Sequence, residues 1–248
     1  MIEADALHAL VMNNTLIPVR FCEQRLIIDG RGVLYWPRHD LLIFSDLHFE
    51  KGSFLTQFAH PLPRFDTRET LKRMQLLIEQ YRPKQVICLG DSFHDVNADK
   101  RLQQDDIETL NAMLNNVNKW MWVLGNHDPD IPQVLSGIRV PHVLIDGLLF
   151  VHEPEELSSF LPDSAGTTFE PEILLGQIVG HYHPKTSYKV SQKRVTGKSF
   201  VIGKHMLLMP AFGKYTGGLS TDTTVIKSLF PEGAPQILLS YHAKLFML

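Results

Sequence analysis

Five short apolar segments of the chain each run into side chains that can bind a metal ion. The segments occupy residues 41–44, 86–89, 120–124, 148–151 and 177–179. The polar residues that follow them, in the same order, are Asp46 and His48; Asp91; Asn126, His127 and Asp128; His152; and His181 and His183. Continuous apolar runs of this length are typical of strands that are buried on both faces of an α/β sheet. Because open α/β sheets bind ligands beyond the carboxyl ends of their strands, we expect these side chains to meet in one site.

Helical patterns lie between these segments, and together with the strands they predict an α/β fold class. Apolar residues recur at helical spacing within residues 66–81 and again within residues 105–116. Two short apolar runs joined by Asp-Gly-Arg-Gly predict an N-terminal β-hairpin at about residues 25–36. The chain has no internal repeat and no Pro/Gly-rich linker, so residues 1–248 are expected to form a single domain.

The composition is that of a globular protein, and it favours the cytoplasm. The net charge is −3, and 21% of the residues are charged. No apolar run approaches the roughly 18 residues that suggest a membrane span. Residues 1–20 lack the basic start and unbroken apolar stretch of a secretory signal. Two cysteines, Cys22 and Cys88, lie far apart and form no disulfide framework, so a reducing compartment is the simpler expectation.

The residue types at the strand ends suit two divalent metal ions. Two such ions about 3.5–4 Å apart repel each other, so they need an anionic bridge and a mixed nitrogen and oxygen ligand set. The carboxylate of Asp91 can form this bridge, as can a shared hydroxide. Imidazole and carboxylate ligands together suit Mn, Fe and Zn. Cys88 lies within its apolar segment, and we interpret it as a core residue.

The ordered set Asp-x-His, Gly-Asp, Gly-Asn-His-Asp, a lone His and Gly-His-x-His resembles the motifs of the calcineurin-like metallophosphoesterase superfamily, over residues 41–184. This resemblance implies a four-layer β-sandwich flanked by helices, with the metal site at the carboxyl ends of the strands. It implies that one metal is held by Asp46, His48, Asp91 and His183, and the second by Asp91, Asn126, His152 and His181. It also implies that His127 is the general acid for the leaving oxygen and that Asp128 orients the His127 ring.

A narrower resemblance extends over residues 25–220. Six motifs are similar to those of the bacterial DNA-ligase-associated metallophosphoesterases, at residues 35–37, 46–52, 89–95, 125–129, 180–184 and 210–218. The likeness implies a nuclease or phosphodiesterase that acts in DNA repair beside a DNA ligase and a helicase, typically with manganese. The expected reaction is hydrolysis of DNA phosphodiester bonds by a hydroxide that the two metals share.

The chain departs from the wider superfamily beside the second motif. His94 and Asp95 stand where the superfamily often has Asp-Arg, so a phosphate-binding arginine common in protein phosphatases is missing. His94 either contacts the substrate or packs in the interior. Lys51 and Tyr182, which lie close to metal motifs in the sequence, are further candidates for substrate contact.

A cationic stretch follows the last metal motif. Residues 173–221 contain no Asp or Glu. The cations nearest to the motif are Lys185, Lys189, Lys193, Arg194 and Lys198. On a pair of strands these side chains would share one side and could follow a nucleic-acid backbone, with Lys189, Lys193 and Arg194 as the main contacts. The alternative is that the stretch is merely a solvated face.

Two other functions remain open from the sequence. One is a phosphatase or pyrophosphatase that acts on small molecules such as nucleotides. The other is a scaffold of the same fold that has lost catalysis. A scaffold would be free to lose ligands, whereas all seven ligand positions and His127 are present here.

Overall fold

Two β-sheets face each other in the computed structural model, which describes residues 2–56, 65–95, 97–128, 130–156 and 174–248. The strands of the first sheet, in spatial order, are β1 (Leu16–Phe21), β2 (Gln24–Asp29), β3 (Val33–Trp36), β4 (Leu41–Ser45), β5 (Gln85–Leu89), β6 (Lys119–Val123) and β7 (Ile138–Val140). The second sheet contains β8 (His142–Ile145), β9 (Leu148–Val151), β10 (Gly176–Val179), β11 (Lys185–Val190), β12 (Lys193–Ile202), β13 (Met206–Leu208), β14 (Gln236–Tyr241) and β15 (Lys244–Met247).

The pairing of the first sheet changes from antiparallel to parallel at β4. Strands β1 to β4 form an antiparallel meander. Strands β4, β5, β6 and β7 are parallel. The carboxyl ends of β4, β5 and β6 therefore lie at the same edge, which is where the first three polar motifs follow.

The second sheet brings the last two motifs to the same end of the molecule. Its strand order is β15-β14-β12-β13-β10-β9-β8, and β11 pairs only with β12. Strands β9 and β10 are parallel, so His152 and His181 follow at neighbouring positions. Strands β11 and β12 form a hairpin that begins directly after the last motif.

Five helices, α1 (Ala4–Met12), α2 (Lys51–Thr56), α3 (Asp66–Tyr81), α4 (Gln104–Asn115) and α5 (Thr224–Ser228), complete the described fold. Alternate residues of β4 divide between two cores, because successive strand residues point to opposite faces. Leu42 and Phe44 pack beneath α3 and α4. Ile43 packs between the sheets, in a core that includes Phe150 from β9.

A third core between the second sheet and α5 completes four layers of helix, sheet, sheet and helix, and it includes Ile226. The predicted α/β class and sandwich are therefore confirmed. The five apolar segments do not share one sheet, since three belong to the first and two to the second. The pairing of β2 with β3 places a hairpin where the sequence predicted one, and β1 extends it. Among the described helices, none is long and apolar enough to cross a membrane.

Candidate metal centre

The first group of converging ligands lies at the ends of β4 and β10. Asp46, His48 and His183 each offer one ligand atom, and these atoms all lie within 4.8 Å of one another. His183 Nε2 is 3.0 Å from Asp46 Oδ1 and 3.2 Å from His48 Nε2. Asp46 is fully buried, and Ser45 Oγ donates to its Oδ2 at 2.5 Å.

The second group lies at the ends of β5, β9 and β10. Asp91, His152 and His181 again offer ligand atoms within 4.8 Å of one another. His152 Nε2 lies 3.4 Å from Asp91 Oδ2 and 3.3 Å from His181 Nδ1. Asn126 Oδ1 lies 3.1 Å from each of these two histidine nitrogens, so the fourth residue expected at this site is also in place.

Asp91 connects the two groups. Its Oδ2 is 3.4 Å from His152 Nε2 of the second group and 3.9 Å from His48 Nε2 of the first. The other oxygen, Oδ1, accepts the backbone N–H of His127 at 2.9 Å, which fixes the orientation of the carboxylate. The geometry therefore allows Asp91 to serve both groups at once.

Two glycines of the motifs make room for the ligands. A Cβ atom on Gly90 would lie 2.1 Å from Nδ1 of His152, and Gly90 has a φ of +70°. A Cβ atom on Gly180 would lie 2.3 Å from Ser45 Oγ and 2.7 Å from Asp46 Oδ2. A side chain at either position would displace a ligand or its hydrogen-bond partner, which explains the Gly-Asp and Gly-His sequences.

Five of the seven candidate ligand residues have a left-handed backbone. These residues are Asp46, His48, Asp91, His181 and His183, with φ values between 45° and 65°. Such conformations are uncommon outside glycine and are concentrated at functional sites.

Burial and the two carboxylates set the charges of the cluster. Burial lowers the pKa of His48 to about 3, so its ring is neutral and has a free lone pair. Burial also lowers the pKa of His152, but the Asp91 hydrogen bond and the carboxylates of Asp46 and Asp91 outweigh it and raise this pKa to about 9. The histidines hold the pKa of Asp46 and Asp91 below the usual range despite their burial.

The donor set fits divalent metal ions. The facing ring nitrogens of His48 and His183 cannot both donate to each other, whereas both can coordinate a cation between them and Asp46. Buried Nδ1 of His48 has no hydrogen-bond partner among the described residues, so its polar contacts are made through Nε2, which faces the cluster. Nitrogen and oxygen ligands without thiolate are suited to transition metals such as Mn, Fe and Zn. Cys88 lies in the core beneath α3, as expected.

His127 lies at the open side of the cluster, beside His94. The His127 side chain is 44% exposed, and its ring centroid is 5.5 Å from that of His48. His94 stacks on His127 at 5.4 Å and also contacts Phe54 at 4.7 Å. Burial lowers the pKa of His94 to about 4, so this ring is a neutral support for His127.

Lys51 and Tyr182 lie on other sides of the cluster. Lys51 is half-buried. Burial lowers its pKa, although the negative charges of Asp91 and Asp46 act to raise it. The Tyr182 ring stands perpendicular to that of His181, with centroids 5.0 Å apart. Both residues are thus close enough to the ligands to meet a bound substrate.

Asp128 does not orient the His127 ring, which corrects the expectation from the sequence. Its Oδ2 accepts the backbone N–H groups of Ser92 and Phe93, at 2.6 and 3.1 Å, and its Oδ1 accepts that of Gly125 at 3.0 Å. The buried carboxylate therefore joins the two turns that carry Asp91 and Asn126. Its hydrogen bonds position the candidate metal ligands on these two turns.

The cationic stretch divides into structural and exposed residues. Lys185 Nζ donates to Thr216 O at 3.0 Å, and Lys198 Nζ donates to the backbone carbonyls of Ala211, Phe212 and Gly213. The Lys198 ammonium is therefore fully engaged by the fold, whereas the Lys185 ammonium has one such contact. The three donors of the Lys198 ammonium are matched by three acceptors, although burial lowers its pKa to about 7.

The exposed cations of the hairpin do not all share one face. Lys189 and Arg194 are direct cross-strand partners, and both lie on the face of β12 that continues inward to Phe200. Lys193 points to the opposite face, together with Tyr188. The expectation of a single cationic side therefore holds for Lys189 and Arg194 but not for Lys193.

Sequence reasoning missed the support that the segment after β13 gives to Asp46. Phe212 N–H donates to Ser45 O at 2.7 Å, and Gly213 N–H donates to Asp46 O at 3.0 Å. The Lys198 ammonium also holds this segment in place, because it donates to the backbone carbonyls of residues 211–213. The motif at 210–218 was visible in the sequence, but its contact with β4 depends on pairings between distant strands.

Comparisons with known proteins found one family match and similar solved structures. The sequence model of the calcineurin-like phosphoesterase family matches residues 39–196. The crystal structure of Pseudomonas putida nuclease MPE is similar at 25% identity and a TM-score of 0.69, over 94% of this chain and 100% of that one. The phosphoesterase YfcE from E. coli is 18% identical with a TM-score of 0.36, over 72% of this chain and 83% of that one. A search of curated proteins gives no match.

The family match covers most of the chain and includes every motif that carries a candidate ligand, whereas the supporting segment after β13 lies outside it. This family uses a dinuclear site for divalent metals, and the two ligand groups joined by Asp91 correspond to such a site. The chain therefore belongs to the calcineurin-like phosphoesterase family and is a metal-dependent phosphoesterase.

Proposed function

We propose that this protein is a dinuclear phosphodiesterase that hydrolyses DNA. The single observation that carries the proposal is the pair of ligand groups that share Asp91, with His127 exposed beside them. In this proposal Asp46, His48, Asp91 and His183 hold one metal, and Asp91, Asn126, His152 and His181 hold the other. The similarity to the P. putida nuclease supports the choice of nucleic acid as the substrate.

The chain contributes charge, orientation and a proton to this reaction. Bound divalent ions would polarise the phosphoryl oxygens and lower the pKa of an attacking water. His127 then gives a proton to the leaving oxygen, because its ring is exposed at the open side of the metal cluster while its backbone N–H donates to Asp91. Lys51 stabilises the negative charge that develops on the phosphoryl group.

The β11–β12 hairpin supplies the contacts to the DNA backbone in this proposal. The hairpin starts two residues after His183, so a DNA strand bound at the metals passes the end of the hairpin that lies nearest to them. Lys189 and Arg194 side by side repel each other, because like charges directly across a strand pair are unfavourable. A phosphate between them relieves this repulsion. Such contacts hold nucleic acid without reading its sequence.

Manganese is the proposed metal: nitrogen and oxygen ligands suit Mn, Fe or Zn, and the resemblance to the DNA-ligase-associated metallophosphoesterases favours Mn among them. We also propose a role in DNA repair in the cytoplasm, beside a DNA ligase and a helicase. Cys22 and Cys88 are both free thiols, which is compatible with a reducing compartment. Co-purification of tagged protein with a ligase or helicase from its native cells tests the partners.

The test of the function is cleavage of labelled single-stranded, duplex and nicked DNA with manganese, beside bis-p-nitrophenyl phosphate. We expect cleavage of at least one DNA substrate and of the chromogenic diester, both abolished in Asp91→Asn. Hydrolysis of nucleotides or pyrophosphate with no cleavage of any DNA would instead establish the small-molecule alternative.

A further inference from the structure

An open cleft adjoins the metal centre on the side of β10. It has a volume of about 430 Å³ and is lined by His181, Tyr182, His183, Gly218, Leu219 and Val225. Two of these residues are candidate metal ligands. A group bound in the cleft therefore lies next to a phosphate held at the metals.

The walls of the cleft are apolar and partly exposed. Leu219 is 38% exposed and Val225 is 47% exposed, so both side chains would gain from being covered. Tyr182 packs at the edge of the core that lies beneath α5, and its backbone carbonyl accepts the N–H of Leu219 at 3.2 Å. The aromatic and aliphatic walls are thus held together by the fold.

The chemistry of the walls suits a nucleobase better than a second phosphate. Among the residues that the structure describes, no lysine or arginine lines the cleft; the Lys185 stem lies beside Gly218, and its ammonium donates to Thr216 O at 3.0 Å. A flat heteroaromatic base can stack on Tyr182 and cover Leu219 and Val225. Stacking on an aromatic side chain is tolerant of sequence, as a nuclease without strict base preference requires.

The position of His127 indicates which nucleoside would occupy the cleft. His127 contacts His48 and His94, whereas the cleft is bounded by the segment from His181 to His183. A leaving nucleoside is expected on the side of its proton donor. The nucleoside that keeps the phosphoryl group is then the one placed in the cleft.

We propose, on the basis of the phosphodiesterase function above, that this cleft binds the base of the nucleoside that keeps the phosphoryl group after cleavage. The cleft would thereby favour nucleotide diesters over diesters with a small retained group. It gives the enzyme a preference for nucleic acid that does not depend on the cationic hairpin.

The test compares p-nitrophenyl esters that differ only in the retained group. The substrates are the 5′- and 3′-p-nitrophenyl phosphates of thymidine and methyl p-nitrophenyl phosphate. All three release the same phenolate, which departs without a proton from His127. We expect kcat/KM for at least one thymidine ester to exceed that for the methyl ester by about 5–140-fold, the range that stacking of one base gives.

Variants of the cleft residues test whether the cleft causes the preference for thymidine esters. Leu219→Ser with Val225→Ser should remove most of this preference and leave the methyl ester unchanged, because both side chains are exposed. Tyr182→Ala should also lower the ratio of the thymidine-ester rate to the methyl-ester rate, whatever it does to the methyl ester itself, and Tyr182→Phe should keep that ratio through its ring. Val134→Ser is the matched control, since Val134 is 61% exposed and does not line the cleft.

Equal kcat/KM values for all three esters in the unsubstituted protein would overturn the inference and leave the phosphodiesterase function standing. The same holds if the cleft variants slow all esters equally. Failure to hydrolyse any of these diesters would overturn the proposed function, and the cleft assignment with it.

Discussion

At the ends of β4, β5 and β10, ligand residues adopt a left-handed backbone that costs on the order of 1–3 kcal/mol for a residue other than glycine. Hydrogen bonds hold these turns in place, among them Asp46 N–H to Gly90 O at 3.3 Å and His48 N–H to Asp91 O at 2.9 Å. The residue types of the site could be predicted from the sequence, because the candidate ligands are the motif residues themselves. The backbone angles were not, because they result from contacts between separate strands.

His127→Ala tests the proton donor. We expect turnover of DNA to fall by about 10²–10⁴-fold, as for loss of a general acid, with the metal content unchanged because Asn126 is the ligand. The loss on bis-p-nitrophenyl phosphate should be small, since nitrophenolate leaves without a proton. Steady-state kinetics on both substrates measure this. Equal losses on the two would show that His127 has another role.

Gly90→Ala tests the space that the second ligand group needs. A Cβ atom there would overlap His152, so we expect the metal content to fall towards one ion per chain and activity to be lost. Gly217→Ala is the control, since a Cβ atom on Gly217 meets nothing within 4 Å. Elemental analysis of both variants after metal loading decides the matter. Two bound ions in Gly90→Ala would contradict the geometry described for His152.

Among the elements, the strands that end in ligands were predicted, whereas their division between two sheets was not. The apolar sequence of a strand such as β9 predicts that the strand is buried, but it does not predict which strand pairs with it. The hairpin shows the same limit. Its cations were visible in the sequence, but only the register of β11 with β12 separates Lys189 and Arg194 from Lys193.

The hairpin prediction concerns DNA binding. Replacing Lys189 and Arg194 together by Ser should weaken DNA binding and reduce its salt dependence by about 0.7–0.9 in log–log slope for each phosphate that the variant no longer neutralises. Lys193→Ser should have a smaller effect, because its side chain lies on the other face. Hydrolysis of bis-p-nitrophenyl phosphate should persist. Titrations at several salt concentrations measure the slope.

A charge-matched control uses Lys84 and Lys119, which are exposed beside the amino ends of β5 and β6, away from the metals. Replacing both by Ser should leave the slope unchanged. If the hairpin double variant binds DNA like this control at every salt concentration, the cationic stretch is only a solvated face.

In the molecule as a whole, the core between the sheets joins residues from β1 to β15, including Leu26, Ile87, Phe150 and Leu238. Separate unfolding of either sheet would expose this shared core to water. We therefore propose that the chain is a single domain, as its lack of a linker suggested. The family resemblance implied a sandwich, and hence a core between two sheets, but the sequence could not show which residues of each sheet build that core.

A thermal scan tests this proposal. We expect one cooperative transition, and we expect Mn²⁺ to raise Tm because the ion binds the folded site and not the unfolded chain. The shift should be much smaller in Asp91→Asn. Two separated transitions in the parent protein would show that the sheets unfold independently and would contradict the single domain.

The central claim is that two metal ions act together across Asp91, and titration of metal-free protein with Mn²⁺ tests it most directly. Bound metal and hydrolysis of bis-p-nitrophenyl phosphate are measured on the same samples. We expect binding to saturate at about two ions per chain, with activity appearing only as the second ion binds. Full activity at a saturating stoichiometry of one ion per chain would contradict the dinuclear account.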